Sequence, residues 1–150
     1  MSTTITGSSI TSATVNTDSV NTDSVTTATV NTDSVTTDSV LTDTYRERVN
    51  AIGSTGGGTQ DIDLALGSTV TATVDTSANT FTFSNVPANA AGFTLILTNG
   101  GSQTVTWPAT VDWAAATAPT LTASGVDVIT FVSPDAGTTW YGFLAGAAMA

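Results

Sequence analysis

The chain contains no cysteine, no histidine and no lysine. Without cysteine there is neither a disulfide framework nor a thiolate metal site, and the redox compartment stays open. Without His, Cys or Lys, the many Ser and Thr hydroxyls lack the usual activating base, so nucleophilic catalysis has no foundation and no enzyme is expected. The only positive side chains, Arg46 and Arg48, stand against eleven Asp and one Glu, for a formal net charge of −10. That balance excludes a sustained electrostatic grip on nucleic acid or anionic lipid. No apolar window approaches the roughly 20 residues of a membrane span, so no membrane insertion is expected. The opening "MSTTITGSSI" has neither the basic start nor the apolar stretch of a secretory signal. A protein of this kind that works outside a cell reaches it by lysis or as part of a particle.

What is abundant is repetition. "ATVNTDSVNTDSVTT" at residues 13–27 is followed at once by "ATVNTDSVTTDSVLT" at 28–42, with two differences. Apolar residues fall at Ile5, Ile10, Val15, Val20, Val25, Val30, Val35 and Val40, and Tyr45 extends the series, a spacing of five throughout. In an α-helix a step of five turns about 500°, so no stripe forms. In a flat strand an odd spacing alternates faces, but a bend in every pentad returns the apolar groups to one side. Thr and Val favour extended backbone, and Asn, Asp and Ser supply hydrogen bonds at corners, so the segment reads as a coiled β-ribbon.

One apolar residue in five cannot offset an ordering cost of about 1–2 kcal/mol per residue in a lone chain. Several chains must pool their valines, and three copies about one axis would stack them in layers with Asp18, Asp23, Asp33, Asp38 and Asp43 outward. The alternatives are a disordered low-complexity tail and a single-chain pentapeptide solenoid, whose four pentads per coil would close only about two coils here.

After the repeat, Thr44 and Glu47 have capping-box spacing, Tyr45, Val49 and Ile52 share a helical face, and Gly53 sits at a helix stop. A short helical collar is expected, followed by a flexible "GSTGGG" joint. Arg46 and Arg48 are candidates for salt bridges to Asp43 or Glu47 of a neighbouring chain, or for docking to an acidic partner. The expected organisation is thus a stalk over 1–44, a collar and linker over 45–59, and a β-domain over 60–150.

From residue 60 the pattern becomes alternation: Ile62, Leu64, Leu66; Val70, Ala72, Val74; Phe81, Phe83; Leu95, Leu97; Val105, Trp107; Val111, Trp113; Val126, Val128; Ile129, Phe131; then Trp140 onward. Period two over short runs means half-buried strands, and "TSAN", "NVPANAAG", "NGGS" and "SPDAGT" punctuate them. The expected fold is all-β: a trimeric pentad-repeat β-stalk followed by an antiparallel, jelly-roll-like β-sandwich head.

Residues 104–146, with Trp107-Pro108, Trp113, Pro119, Asp127, Phe131, Asp135, Gly137, Trp140, Tyr141 and Gly142, resemble the C-terminal β-domain of tailed-phage fibre and head-fibre proteins. The pentads are similar to the "AVTTAKIADGAV" type of repeat in phage fibre shafts, although Asp or Thr here stands where Lys often does. The resemblance implies a homotrimeric structural protein at the virion surface, in contact with other virion proteins of capsid or tail. Such fibres usually begin with an anchoring domain. None is recognised before the repeat, which favours a short fibre or capsid decoration protein over a small tail or baseplate fibre.

Trp107, Trp113, Trp140 and Tyr141 are candidates for stacking on a host-surface glycan, or for core and subunit packing. In "WYGF" adjacent residues face opposite ways, so Trp140 and Tyr141 cannot both be core. Asp61 and Asp63 share a strand face but are too few for a Ca²⁺ site, and no metal or cofactor is expected. "SPDAG" reads as a hairpin turn. A free carbohydrate-binding module and a filament-forming extracellular matrix protein are the competing readings.

Overall fold

The computed structural model describes residues 44–149, which belong to one compact unit, Thr42–Ala150. The pentad positions from Ile5 to Val40 lie outside the described residues. Nine strands follow one another: β1 (Val49–Ser54), β2 (Gly58–Asp63), β3 (Thr69–Thr73), β4 (Asn79–Ser84), β5 (Ala91–Thr98), β6 (Val105–Thr106), β7 (Val111–Trp113), β8 (Val126–Ser133) and β9 (Trp140–Met149). Short 3-10 turns at Gly100–Ser102 and Ala114–Ala116 complete the elements.

The fold is all-β, but its sheets are mixed rather than antiparallel. One sheet has the order β1-β3-β5-β8-β9-β7 and the other β2-β4-β6. Through β6 the chain alternates between them, so each strand lies parallel to the one two before it. Val49 pairs with Thr69 and Thr69 with Thr94 in the large sheet; Gly58 pairs with Asn79 and Asn79 with Val105 in the small one. Only β5–β8 and β8–β9 are antiparallel. Alternation in the sequence reports which face a residue takes and says nothing about the direction of the neighbouring strand, which is why parallel winding was not foreseen.

The helical collar expected over residues 45–52 is absent. Residues 44–48 have no regular structure, and β1 occupies 49–54. Strand β1 was hidden because its inward residue is polar: Asn50 is buried and donates Nδ2 to the Asp63 carbonyl at 3.1 Å. A register shift between Ala51 and Gly53 further spoils its period. The Glu47 carboxylate, instead of capping a helix, accepts a hydrogen bond from the Thr69 hydroxyl at 2.6 Å. The β-domain therefore starts near residue 49, not 60, and "GSTGGG" is an internal turn rather than a joint. Gly56, Gly57 and Gly58 all have positive φ, and a Cβ on Gly57 would stand 2.4 Å from that of Ser77. Asp75 pins the turn, accepting from the Ser54 hydroxyl and the Gly56 N–H.

The inward sides of the two sheets share one apolar core. Ile62 and Phe81 come from the small sheet, and Val70, Leu95, Leu97, Ile129, Phe131 and Trp140 from the large one, all 0–1 % exposed. Strand β8 explains two sequence patterns at once. Its inward residues are Asp127, Ile129, Phe131 and Ser133, while Val126, Val128, Thr130 and Val132 form its other face. Phe131 is the hub of an aromatic cluster, with centroids 5.3 Å from Phe83, 4.7 Å from Phe93, 5.5 Å from Trp107 and 5.7 Å from Trp113. Gly142, paired with both Phe131 and Trp113, leaves room for the indole: a Cβ there would stand 2.5 Å from a Trp113 ring carbon.

Two substitutions test this account. Phe131→Ala is expected to cost about 3–5 kcal/mol by vacating the hub. Gly142→Ala is expected to cost about 1–3 kcal/mol by displacing Trp113. Urea unfolding followed by tryptophan fluorescence measures both, and a near-neutral Gly142→Ala would mean that the indole yields without loss.

Candidate interaction surface

The four aromatic candidates do not form one platform. Trp140 is 1 % exposed and packs edge-on against Phe83 and Phe93, so it is core and unavailable to a ligand. Trp107 stacks on Phe81 at 5.3 Å and is half-buried, and Trp113 is half-buried against Trp107 and Phe131. Tyr141 alone of the four is exposed, since it follows the inward Trp140 on the strand. The other exposed rings are Phe143 and Tyr45; Tyr45, the last of the pentad series, has 75 % of its surface open.

The exposed apolar groups gather on the outer face of the large sheet. One row across it is Val49–Thr69–Thr94–Thr130–Phe143, and the next is Gly92–Val132–Tyr141–Asp112. Val49, Val132, Tyr141 and Phe143 are 59, 49, 43 and 53 % exposed. Sequence reasoning named Tyr141 but missed Phe143 and Val132. Their signal was the phase of alternation: both stand at odd offset from an inward neighbour, Gly142 and Phe131 respectively.

Where β9 meets β7 the face turns into an open groove of about 310 Å³ lined by Trp113, Thr117, Pro119, Phe143 and Leu144. A shallower hollow beside it is walled by Asp112, Trp113 and Tyr141. Over β5 and β8 the face carries another shallow hollow, where Glu47 lies beside Ser68, Thr94, Thr130 and Val132. Hydrogen bonds from Thr69 and then Ser68 hold the Glu47 carboxyl below its ordinary pKa.

The opposite outer face, on the small sheet, is polar. Asp61 accepts from the Thr82 hydroxyl at 2.9 Å and from Ser84, and Asp63 from the Ala65 N–H and Asn85 amide. These two carboxylates are tied to neighbouring side chains and backbone. Among the described residues no group of three or more His, Cys, Asp or Glu is placed to hold a metal. Arg46 and Arg48 are both exposed, just before β1.

Most residues carrying the resemblance noted above have internal work. Asp127 is fully buried; Oδ2 accepts the Thr122 N–H and Oδ1 the Thr122 hydroxyl, both at 2.6 Å, with the Ala148 N–H at 3.2 Å from Oδ1. It thereby ties the loop before β8 to the end of β9. Burial pushes its pKa up, but these donors outweigh burial and hold it below the ordinary value. Asp135 shapes the β8–β9 turn, accepting the Thr139 N–H and the Ser133 hydroxyl, each at 2.9 Å. Tyr141 is the member of the set left facing outward.

No protein-family model, curated protein or solved structure matches the chain.

Because the folded-state pKa of Asp127 lies below its unfolded value, its stabilising effect is complete above about pH 4 and is lost as pH falls through the folded pKa. Asp127→Asn, which sets an amide against three donors, is expected to cost about 1–3 kcal/mol at neutral pH. It should also flatten the acid limb of a stability–pH profile measured by urea denaturation; an acid limb identical to that of the parent would remove Asp127 as its source.

Proposed function

We propose that the protein is a structural component of a phage virion, a short trimeric fibre or capsid decoration protein that displays β-domains on a wound stalk. The observation that carries this reading is the apolar register at every fifth residue from Ile5 to Tyr45, which a single chain cannot bury and several chains can. The resemblance of residues 104–146 to phage-fibre β-domains supports a virion location. The all-β fold suits such a head. The residues that carry the resemblance serve mainly packing and turns, as in a part whose work is mechanical and adhesive.

A second reading, a small tail or baseplate fibre that binds a host-surface glycan, is favoured by one observation. Trp113 and Tyr141 border the same hollow with Asp112, and an aromatic wall beside a carboxylate suits a sugar's apolar face and hydroxyls. Three weak sites on one stalk would act together through valency.

The solution mass of the full chain by light scattering tests the first reading. A mass of three chains, unchanged on dilution, is expected. A monomer whose first forty or so residues are rapidly proteolysed would overturn the stalk and with it the fibre.

A further inference from the structure

We infer that the outer face of the large sheet, centred on Val132, Tyr141 and Phe143, is the surface by which one head packs against a second copy of itself. The inference rests on the trimeric reading above and adds to it which face turns inward.

Charge selects this face. A chain of net charge −10 repels its copies unless surfaces poor in net charge meet. Within the two rows through Thr130 and Val132 the one charged residue is Asp112 on β7; Glu47, which lies over the face beside Val132, is hydrogen-bonded to Thr69 and flanked in sequence by Arg46 and Arg48, whereas the small sheet presents Asp61 and Asp63.

Chain entry selects the same face. The 43 residues outside the described region join at Thr44, and residues 44–48 arrive on this side of the sheet, where Glu47 accepts from outward-facing Thr69 and lies beside Val132.

The margins are complementary in a head-to-tail sense. The chain's only cations, exposed Arg46 and Arg48, lead into β1 at one edge of the sheet, and exposed Asp112 lies on β7 at the other. A cyclic arrangement places one copy's first edge against the next copy's last, as a threefold ring requires and a twofold dimer does not.

Size explains why tethering matters. Five strands about 4.8 Å apart and about five residues deep present roughly 300–400 Å². That is below the roughly 800 Å² per partner of a free-standing complex, so the face associates only at the high effective concentration of joined chains.

The native absence of cysteine makes the test direct. Val132→Cys, a near-isosteric change, and Thr80→Cys, an exposed control on the small sheet, are each introduced into the full chain and labelled with a maleimide. Matching near-ultraviolet circular dichroism establishes that both variants fold. The thiol at position 132 is expected to react at least about tenfold more slowly than that at 80, and the difference to vanish in denaturant. Equal rates in a chain whose mass is that of a trimer would overturn the inference and leave the trimer standing, the face then being open to a different partner. A monomeric mass would overturn both.

Discussion

The contact on which the domain depends is the meeting of aromatic rings between its two sheets. Phe81 and Phe83 from the small sheet interleave with Phe93, Phe131, Trp113 and Trp140 from the large one, and Trp107 is wedged between Phe81 and Phe131. Seven of the chain's ten aromatic side chains thus form one connected cluster. Edge-to-face and stacked rings fix relative orientation as well as burying area, so the cluster sets how the sheets lie over each other. The loop before β8, the β8–β9 turn and the close approach of Trp113 to Gly142 all serve to deliver rings to this place.

That dependence explains what was legible in the sequence. Strands β3 and β5 announced themselves because their inward residues are apolar at every second position, and β4 and β8 through the inward pairs Phe81 and Phe83, and Ile129 and Phe131. The turn at "SPDAGT" was legible because Pro134, Asp135 and Gly137 each have a local conformational role. Strand β1 was not, because it buries Asn50 and is interrupted near Gly53, and because Thr44, Glu47 and Ile52 happen to satisfy the spacing of a capped helix. Pairing direction was legible at β8–β9, where the hairpin turn joins an antiparallel pair, but not in the parallel ladders, whose partner strands begin twenty or more residues away and leave no local pattern.

The surface divides labour as the core does not. On the small sheet, carboxylates are bound into hydrogen bonds with threonine, serine and asparagine beside them, a finish suited to water. On the large sheet threonines alternate with valine and aromatic groups, Asp112 stands on β7, and Glu47 reaches over the face from the segment before β1. Of the candidate residues, Trp140 took the core alternative left open for it, because a ring's type does not reveal its face. Tyr141 was recognised through its neighbour: once Trp140 is inward, the next residue must point out.

The position of β1 has a mechanical consequence. It is an edge strand, bonded on one side only to β3, and its inward anchor is an amide rather than an aromatic ring. Any tension arriving along the chain from residue 44 is applied first to this strand, while the ring cluster lies on β4, β5, β7, β8 and β9 and in the loop after β6. Under load the domain would yield there before its core was disturbed, paying out several residues of slack and recovering when the pull ceased. An edge strand outside the ring cluster lies where the force enters, which makes β1 a shock absorber for the rest.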